Sequence, residues 1–186
     1  MRRIHKRVVS ISGDLGSGKS SVSRLLADKL GWKYYSTGMA QRKIATEMGI
    51  TTGELNRLSL SDISVDAKID AVFKNPPWGD CPCVIDSRLA FYFLPNSFKV
   101  CLLVDPQIAA ERIFHDMKRK GEAKYRTIKQ AKEACAQRRA LELARFMQNY
   151  NLDITNLNQF DLVIDTTNLS VEEVCDKIIR HLPFNV

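Results

Sequence analysis

An α/β fold on a parallel sheet is predicted by three observations. The first is a glycine-rich turn, Gly13-Asp14-Leu15-Gly16-Ser17-Gly18-Lys19-Ser20, set between an apolar run (Val8 to Ile11) and a helical pattern (Val22, Leu25, Leu26, Leu30). The second is a series of short apolar, β-branched runs, each followed by a helix-period segment. The third is composition. The 186 residues are 45% hydrophobic and 26% charged, enough to bury a core and ordinary for a globular chain.

Val8 to Ile11 reads as a buried first strand, and Gly31 ends the helix that follows the turn. Trp32 to Tyr35 is the second strand. Ser36 or Thr37 is placed to cap the next helix, whose apolar stripe is Met39, Ile44, Ala45 and Met48. Thr51 to Glu54 has capping-box spacing for another short helix. Asp62 to Phe73 continues helically until Asn75-Pro76-Pro77 stops it. Cys83 to Asp86 is the third strand, with a carboxylate at its end. Leu89 to Leu94 reads as a short packed helix, and Phe98 to Val104 as the fourth strand. Pro106, at a first helical position, opens a helix to about Met117. A basic connector, Lys118 to Thr127, leads into a long helix from Ile128 to about Tyr150. Asp161 to Asp165 is the fifth strand, and Ser170 caps a last helix through Ile179.

The glycine turn has the spacing G-x-x-x-x-G-K-S of a phosphate-binding loop. Glycines let successive N–H groups converge on an anion, and the helix N-terminus adds partial positive charge. Gly13, Gly16, Ser17, Gly18, Lys19, Ser20 and Ser21 are therefore the candidate nucleotide-binding residues. Lys19 reaches the β- and γ-phosphates, and the Ser20 hydroxyl holds Mg²⁺. In an open parallel sheet, ligands sit beyond the carboxyl ends of the strands. Ser36, Arg42, Asp86, Arg88, Asp165 and Thr166 all fall there. Arg42 and Arg88 suit bidentate contact with an acceptor phosphate. Asp86 either orients a metal-bound water or pairs with Arg88.

The net charge of +7 implies an anionic partner. No ladder of stacking aromatics accompanies the basic residues, so small polyphosphates are favoured over nucleic acid. No apolar run approaches the roughly 20 residues that span a bilayer. Five cysteines, without zinc spacing, indicate reduced thiols. Cys81-Pro82-Cys83 reads as structural. A monomeric, cytoplasmic protein that contacts no membrane is expected.

The chain resembles the nucleoside monophosphate kinases, in particular the short cytidylate kinases of archaeal type. The resemblance is carried by Ser36-Thr37-Gly38 through Arg42, by Ile85 to Ala90, by Arg145 to Asp153 and by Asp161 to Ser170, in that order and spacing. It implies a P-loop kinase three-layer fold with sheet order 2-3-1-4-5 in a single domain over residues 1–186. It also implies a monophosphate-binding insert at 36–75 and a lid at about 118–127. The implied activity is transfer of a phosphoryl group from ATP, with Mg²⁺, to CMP or dCMP. Its implied acceptor-binding residues are Ser36, Arg42, Asp66, Asp70 and Arg88. Arg112 would lie over the adenine, Lys19, Arg88 and Arg138 would act on the phosphoryl group, and Ser20 and Asp86 would hold the metal.

The chain departs from the family at Asp14, Asp116, Leu141 and Leu143, which thins the positive charge expected around the transferred group. Lys118, Arg119, Lys124 or Arg126 of the connector would compensate. Two other readings stand beside this one: a kinase of the same fold with another small acceptor, and an ATP-binding protein or ATPase without transferase activity.

Overall fold

The computed structural model describes residues 7–74, 76–116 and 125–183. The chain divides into two compact units. The first holds a five-stranded parallel sheet in the order β2-β3-β1-β4-β5. Its strands are β1 (Val8–Gly13), β2 (Lys33–Ser36), β3 (Cys83–Asp86), β4 (Phe98–Leu103) and β5 (Leu162–Asp165). β1 sits at the centre because its residues are buried on both faces, as a parallel strand covered from both sides must be.

The two-residue period of β1 assigns its faces. Val9 and Ile11 join Val84, Val100 and Leu102 in a core completed by α1 (Lys19–Leu30) and α8 (Val171–His181). Val22 and Leu26 enter it from α1, and Val174, Cys175 and Ile178 from α8. Val8 packs in a second cluster with Trp78, Cys83, Ile85 and Ala90, the last from the short α5 (Ala90–Phe93). Cys83 is fully buried, and burial pushes its thiol up to about 12, so it is a neutral core side chain.

Several sequence expectations shift by a residue or two. Gly31 ends α1 in the left-handed conformation, and the Trp32 N–H bonds back to the Ala27 carbonyl. Trp32 thus belongs to the helix terminus, and β2 begins at Lys33. Ser36 is the last residue of β2, paired in register with Asp86, and its hydroxyl donates to that carboxylate. The expected capping box forms at Thr51–Glu54, and the expected cap at Ser170 is itself a capping box with Glu173.

The second unit is helical. It takes in most of α2 (Thr37–Glu47), α3 (Thr52–Ser61), the greater part of α4 (Ile63–Lys74), α6 (Pro106–His115) and α7 (Ile128–Tyr150). Ala45, Leu55 and Val65 form its small apolar core. α7 packs against α3 and α6. α6 stops at His115, short of the expected Met117, and Asp116 is its non-helical C-cap. Of the connector cations named above, Lys118, Arg119 and Lys124 lie outside the described residues. Arg126 lies within them, and its backbone N–H donates to the Gln130 side chain beside the Thr127 cap of α7.

Candidate active site

The glycine loop of the first unit is shaped by two positions. Gly13 has φ 133°, and a Cβ there would lie 2.0 Å from the Leu102 carbonyl oxygen. Only glycine permits β1 to turn so close to β4. Gly18, at φ 84°, is the left-handed N-cap of α1 and brings no side chain to its first-turn amides. Those amides therefore face an incoming anion at the positive end of the helix.

Two cations converge on the loop. The Lys19 ammonium donates to the carbonyls of Gly13, at 3.0 Å, and Asp14. The Arg88 guanidinium donates to the same Gly13 carbonyl, also at 3.0 Å. Arg88 is itself fixed from behind, because Ser12 donates its hydroxyl to the Arg88 carbonyl at 3.1 Å. The sheet explains the meeting: Ile11 pairs with Asp86, so the chain leaving β3 passes beside the loop leaving β1.

Asp14, the unexpected carboxylate, is turned toward β4. Its backbone N–H donates to the Leu102 carbonyl at 2.9 Å, and its Oδ2 accepts from the Val104 N–H at 3.4 Å. A carboxylate bonded to backbone N–H in this way braces the loop.

A third group gathers at Asp86. Its Oδ2 accepts from Ser20 at 2.6 Å, Ser36 at 3.4 Å and Tyr34 at 3.5 Å. Burial and the Asp86 charge together raise the Tyr34 hydroxyl above its ordinary pKa. Ser20 and Asp86 present hard oxygens beside the loop, the donor set that Mg²⁺ takes alongside phosphates and waters. Ser17 is buried and bonds within the loop to the Asp14 carbonyl, while Ser20 and Ser21 are exposed at the start of α1. Gly16 completes the turn at φ 78°.

The remaining predicted site residues belong to the second unit. Arg42 is half-buried on α2, and its carbonyl accepts from Thr46. Arg112 is in the last turn of α6. Arg138, on α7, pairs with Glu142 at 3.2 Å. Asp66 and Asp70 lie one turn apart on α4 and meet side chains of α7 that sequence reasoning left without a role. Asp66 is buried, accepts from Asn149 at 2.9 Å and lies 3.7 Å from Arg145 Nε. Arg145 is equally buried, donates to Asn56 of α3 at 2.8 Å and stacks over Phe146. Asp70 accepts a hydrogen bond from the Tyr150 hydroxyl. Burial pushes the Asp70 carboxyl up to about 6, and the neighbouring Asp66 charge acts in the same direction. Tyr150 is raised too, by burial and by Asp70. The available signal was helical spacing: Arg145 and Asn149 are four residues apart, as are Asp66 and Asp70, which puts each pair on one helix face.

A family model described as an AAA domain (AAA_18) matches residues 9–137. The cytidylate kinase of Methanocella arvoryzae is 33% identical over 175 residues, which cover 93% of this chain and 95% of that protein. The chain belongs to the cytidylate kinase family. A nucleotide dehydratase of Lacinutrix mariniflava, named as S-adenosylmethionine-dependent, is 34% identical over 177 residues. The match takes in 95% of this chain but only 36% of that relative. Among solved structures, shikimate kinase from Bacteroides thetaiotaomicron superposes with a TM-score of 0.66 at 13% identity, over 95% of this chain and 98% of that one. That likeness concerns the fold alone, and the fold is that of the P-loop kinases.

Proposed function

We propose that the protein is a nucleoside monophosphate kinase that converts ATP and CMP or dCMP to ADP and CDP or dCDP. The observation that carries this reading is the convergence of Lys19 and Arg88 on the Gly13 carbonyl, beside the Ser20–Asp86 pair. A loop that only bound nucleotide would need the lysine and the serine. A second cation from the neighbouring strand end suits a site where charge is transferred.

In the reaction, an oxygen of the acceptor phosphate attacks the γ-phosphorus of ATP. The bond to the β–γ bridging oxygen breaks, and ADP leaves with that electron pair. Negative charge spreads over the oxygens of the moving group. Lys19 and Arg88 offset that charge, and the loop amides hold the β-phosphate. Ser20 and Asp86 would hold Mg²⁺, which supplies charge neutralisation at the phosphates. By the family resemblance, Arg42 would serve the acceptor phosphate, and Asp66 and Asp70 the nucleoside. Ser36 serves the acceptor from the end of β2, and Arg112 and Arg138 serve the ATP side. The insert at 36–75 and the lid at about 118–127 remain part of this reading.

The test is ADP release from ATP and Mg²⁺ with each nucleoside monophosphate in turn. Stimulation by CMP or dCMP well above the other monophosphates is the expected result. ATP turnover indifferent to every monophosphate would overturn it. The dehydratase relative favours a second reading, a nucleotide-binding module that serves a dehydratase acting on the same nucleotide. Tight ATP binding with no acceptor-stimulated turnover would favour that alternative.

A further inference from the structure

We infer that Thr166 is a positioning residue for the nucleotide loop, tying it to the end of the sheet through a single hydroxyl. The inference rests on the ATP-binding half of the reading above.

Thr166 directly follows β5, is 2% exposed, and lies 149 residues from the loop it touches. Its Oγ1 is 3.1 Å from the Ser17 carbonyl and 2.9 Å from the Leu103 carbonyl. Its backbone N–H donates to the same Leu103 carbonyl at 2.9 Å. A threonine hydroxyl carries one proton, so it serves the two carbonyls in alternation or as a shared bond. The Leu103 carbonyl already has the backbone donor. The contribution particular to the side chain is therefore the bond to Ser17.

Three successive residues at the end of β4 hold the loop. Leu102 accepts from the Asp14 N–H, Leu103 shares the Thr166 hydroxyl with Ser17, and Val104 donates to the Asp14 carboxylate. Two of these ties grip the loop at Asp14, where it leaves β1. The Thr166 tie reaches the carbonyl of Ser17, the residue before the left-handed Gly18. The direction of the following amides depends on the carbonyl orientation at that point, since each peptide plane carries both groups. Fixing Ser17 thus pre-aims the amides that meet the phosphates, and pre-organised donors bind without a cost of ordering.

Thr166→Val keeps the shape and the backbone N–H and removes only the hydroxyl. Thr166→Ser restores the hydroxyl. Calorimetric titration of the full chain with ATP and Mg²⁺ is expected to give a Kd about tenfold weaker for Thr166→Val, the effect of one buried hydrogen bond. Thr166→Ser should stay within about twofold of the parent, and the KM for the acceptor should be unmoved. Amide exchange in the nucleotide-free chain should quicken at residues 17–20 in the valine variant and not elsewhere in the sheet. A valine variant with the parent Kd and parent exchange, or a serine variant as weak as the valine one, would overturn the inference. Thr166→Ala is the substitute should the valine variant fail to fold. A parent chain that bound no ATP would refute the kinase reading, while exchange at the loop would still report the tether.

Discussion

The loop of the first unit and the carboxylate cluster of the second solve opposite problems. At the loop, cations lean on backbone carbonyls: Lys19 and Arg88 on Gly13, with Thr166 and Asp14 bracing from the side. In the α3–α4–α7 cluster, side chains meet side chains: Asp66 accepts from Asn149 and lies 3.7 Å from Arg145 Nε, and Asp70 accepts from Tyr150. The loop donors Lys19 and Arg88 are partly exposed, so a phosphate can reach them. The buried pair Asp66 and Arg145 has no comparable alternative partner in water, so breaking it leaves a stranded charge. The difference teaches where each region is vulnerable. Damage at the loop should appear in turnover with the fold intact, and damage in the cluster should appear first in stability.

The largest expected effect is at Lys19. Lys19→Met removes the ammonium and keeps the stem, and kcat should fall about 10³-fold or more, as when a key electrostatic donor is lost. The melting temperature should stay within a few degrees. A comparable loss of stability would erase the contrast between the regions. Arg145→Met is the reciprocal case. It strands Asp66 in a buried site and should cost about 3 kcal/mol in denaturant unfolding. An unchanged midpoint would mean that Asp66 is solvated in the folded chain. Next comes Arg88→Lys, which keeps the charge and loses the planar fork. It should lower kcat about tenfold to a hundredfold while ATP affinity changes little, because the contribution is greatest in the transition state. Equal losses in kcat and ATP binding would reduce Arg88 to a loop brace.

The two regions were also unequally legible. The loop could be read from eight consecutive residues, because its chemistry is made by backbone whose path glycine dictates. Asp86 and Arg88 followed from their place at a strand end, since parallel pairing with β1 carries that end to the loop. Five strands were accessible because runs such as Val8 to Ile11, Cys83 to Asp86 and Phe98 to Val104 are short, apolar and separated by helical patterns, whereas their order came from the family resemblance. Thr166 was noticed as a strand-end residue, yet its bond to Ser17 depends on a tertiary approach over 149 residues. The cluster was less legible still. Arg145 and Tyr150 fell in a stretch marked by resemblance, but nothing local joins them to Asp66 and Asp70. Their pairing depends on the rotation of α7 about its own axis. Trp32 illustrates a smaller limit: a β-prone residue after a left-handed glycine was drawn into the helix terminus by a hydrogen bond to Ala27.

The smallest effect is the most discriminating, because it asks whether the cluster is purely structural. The Asp70 carboxyl is raised from 3.8 to about 6, so the folded chain retains a proton that the unfolded chain has released between those values. Stability therefore falls as pH rises through that window and levels off above about 6. With allowance for partial solvent access, the loss should be about 1 kcal/mol. Asp70→Asn cannot ionise and still offers an oxygen to the Tyr150 hydroxyl. It should match the parent near pH 4, exceed it by about that amount near pH 8, and show a flatter stability profile between. Urea unfolding of both chains across this range measures the difference directly. Parallel profiles would mean that Asp70 titrates alike in both states, with its charge free to meet water or a ligand. In that event the carboxylate would behave like the loop cations, exchanging partners on binding, and the division between the two regions would run between Asp66 and Asp70.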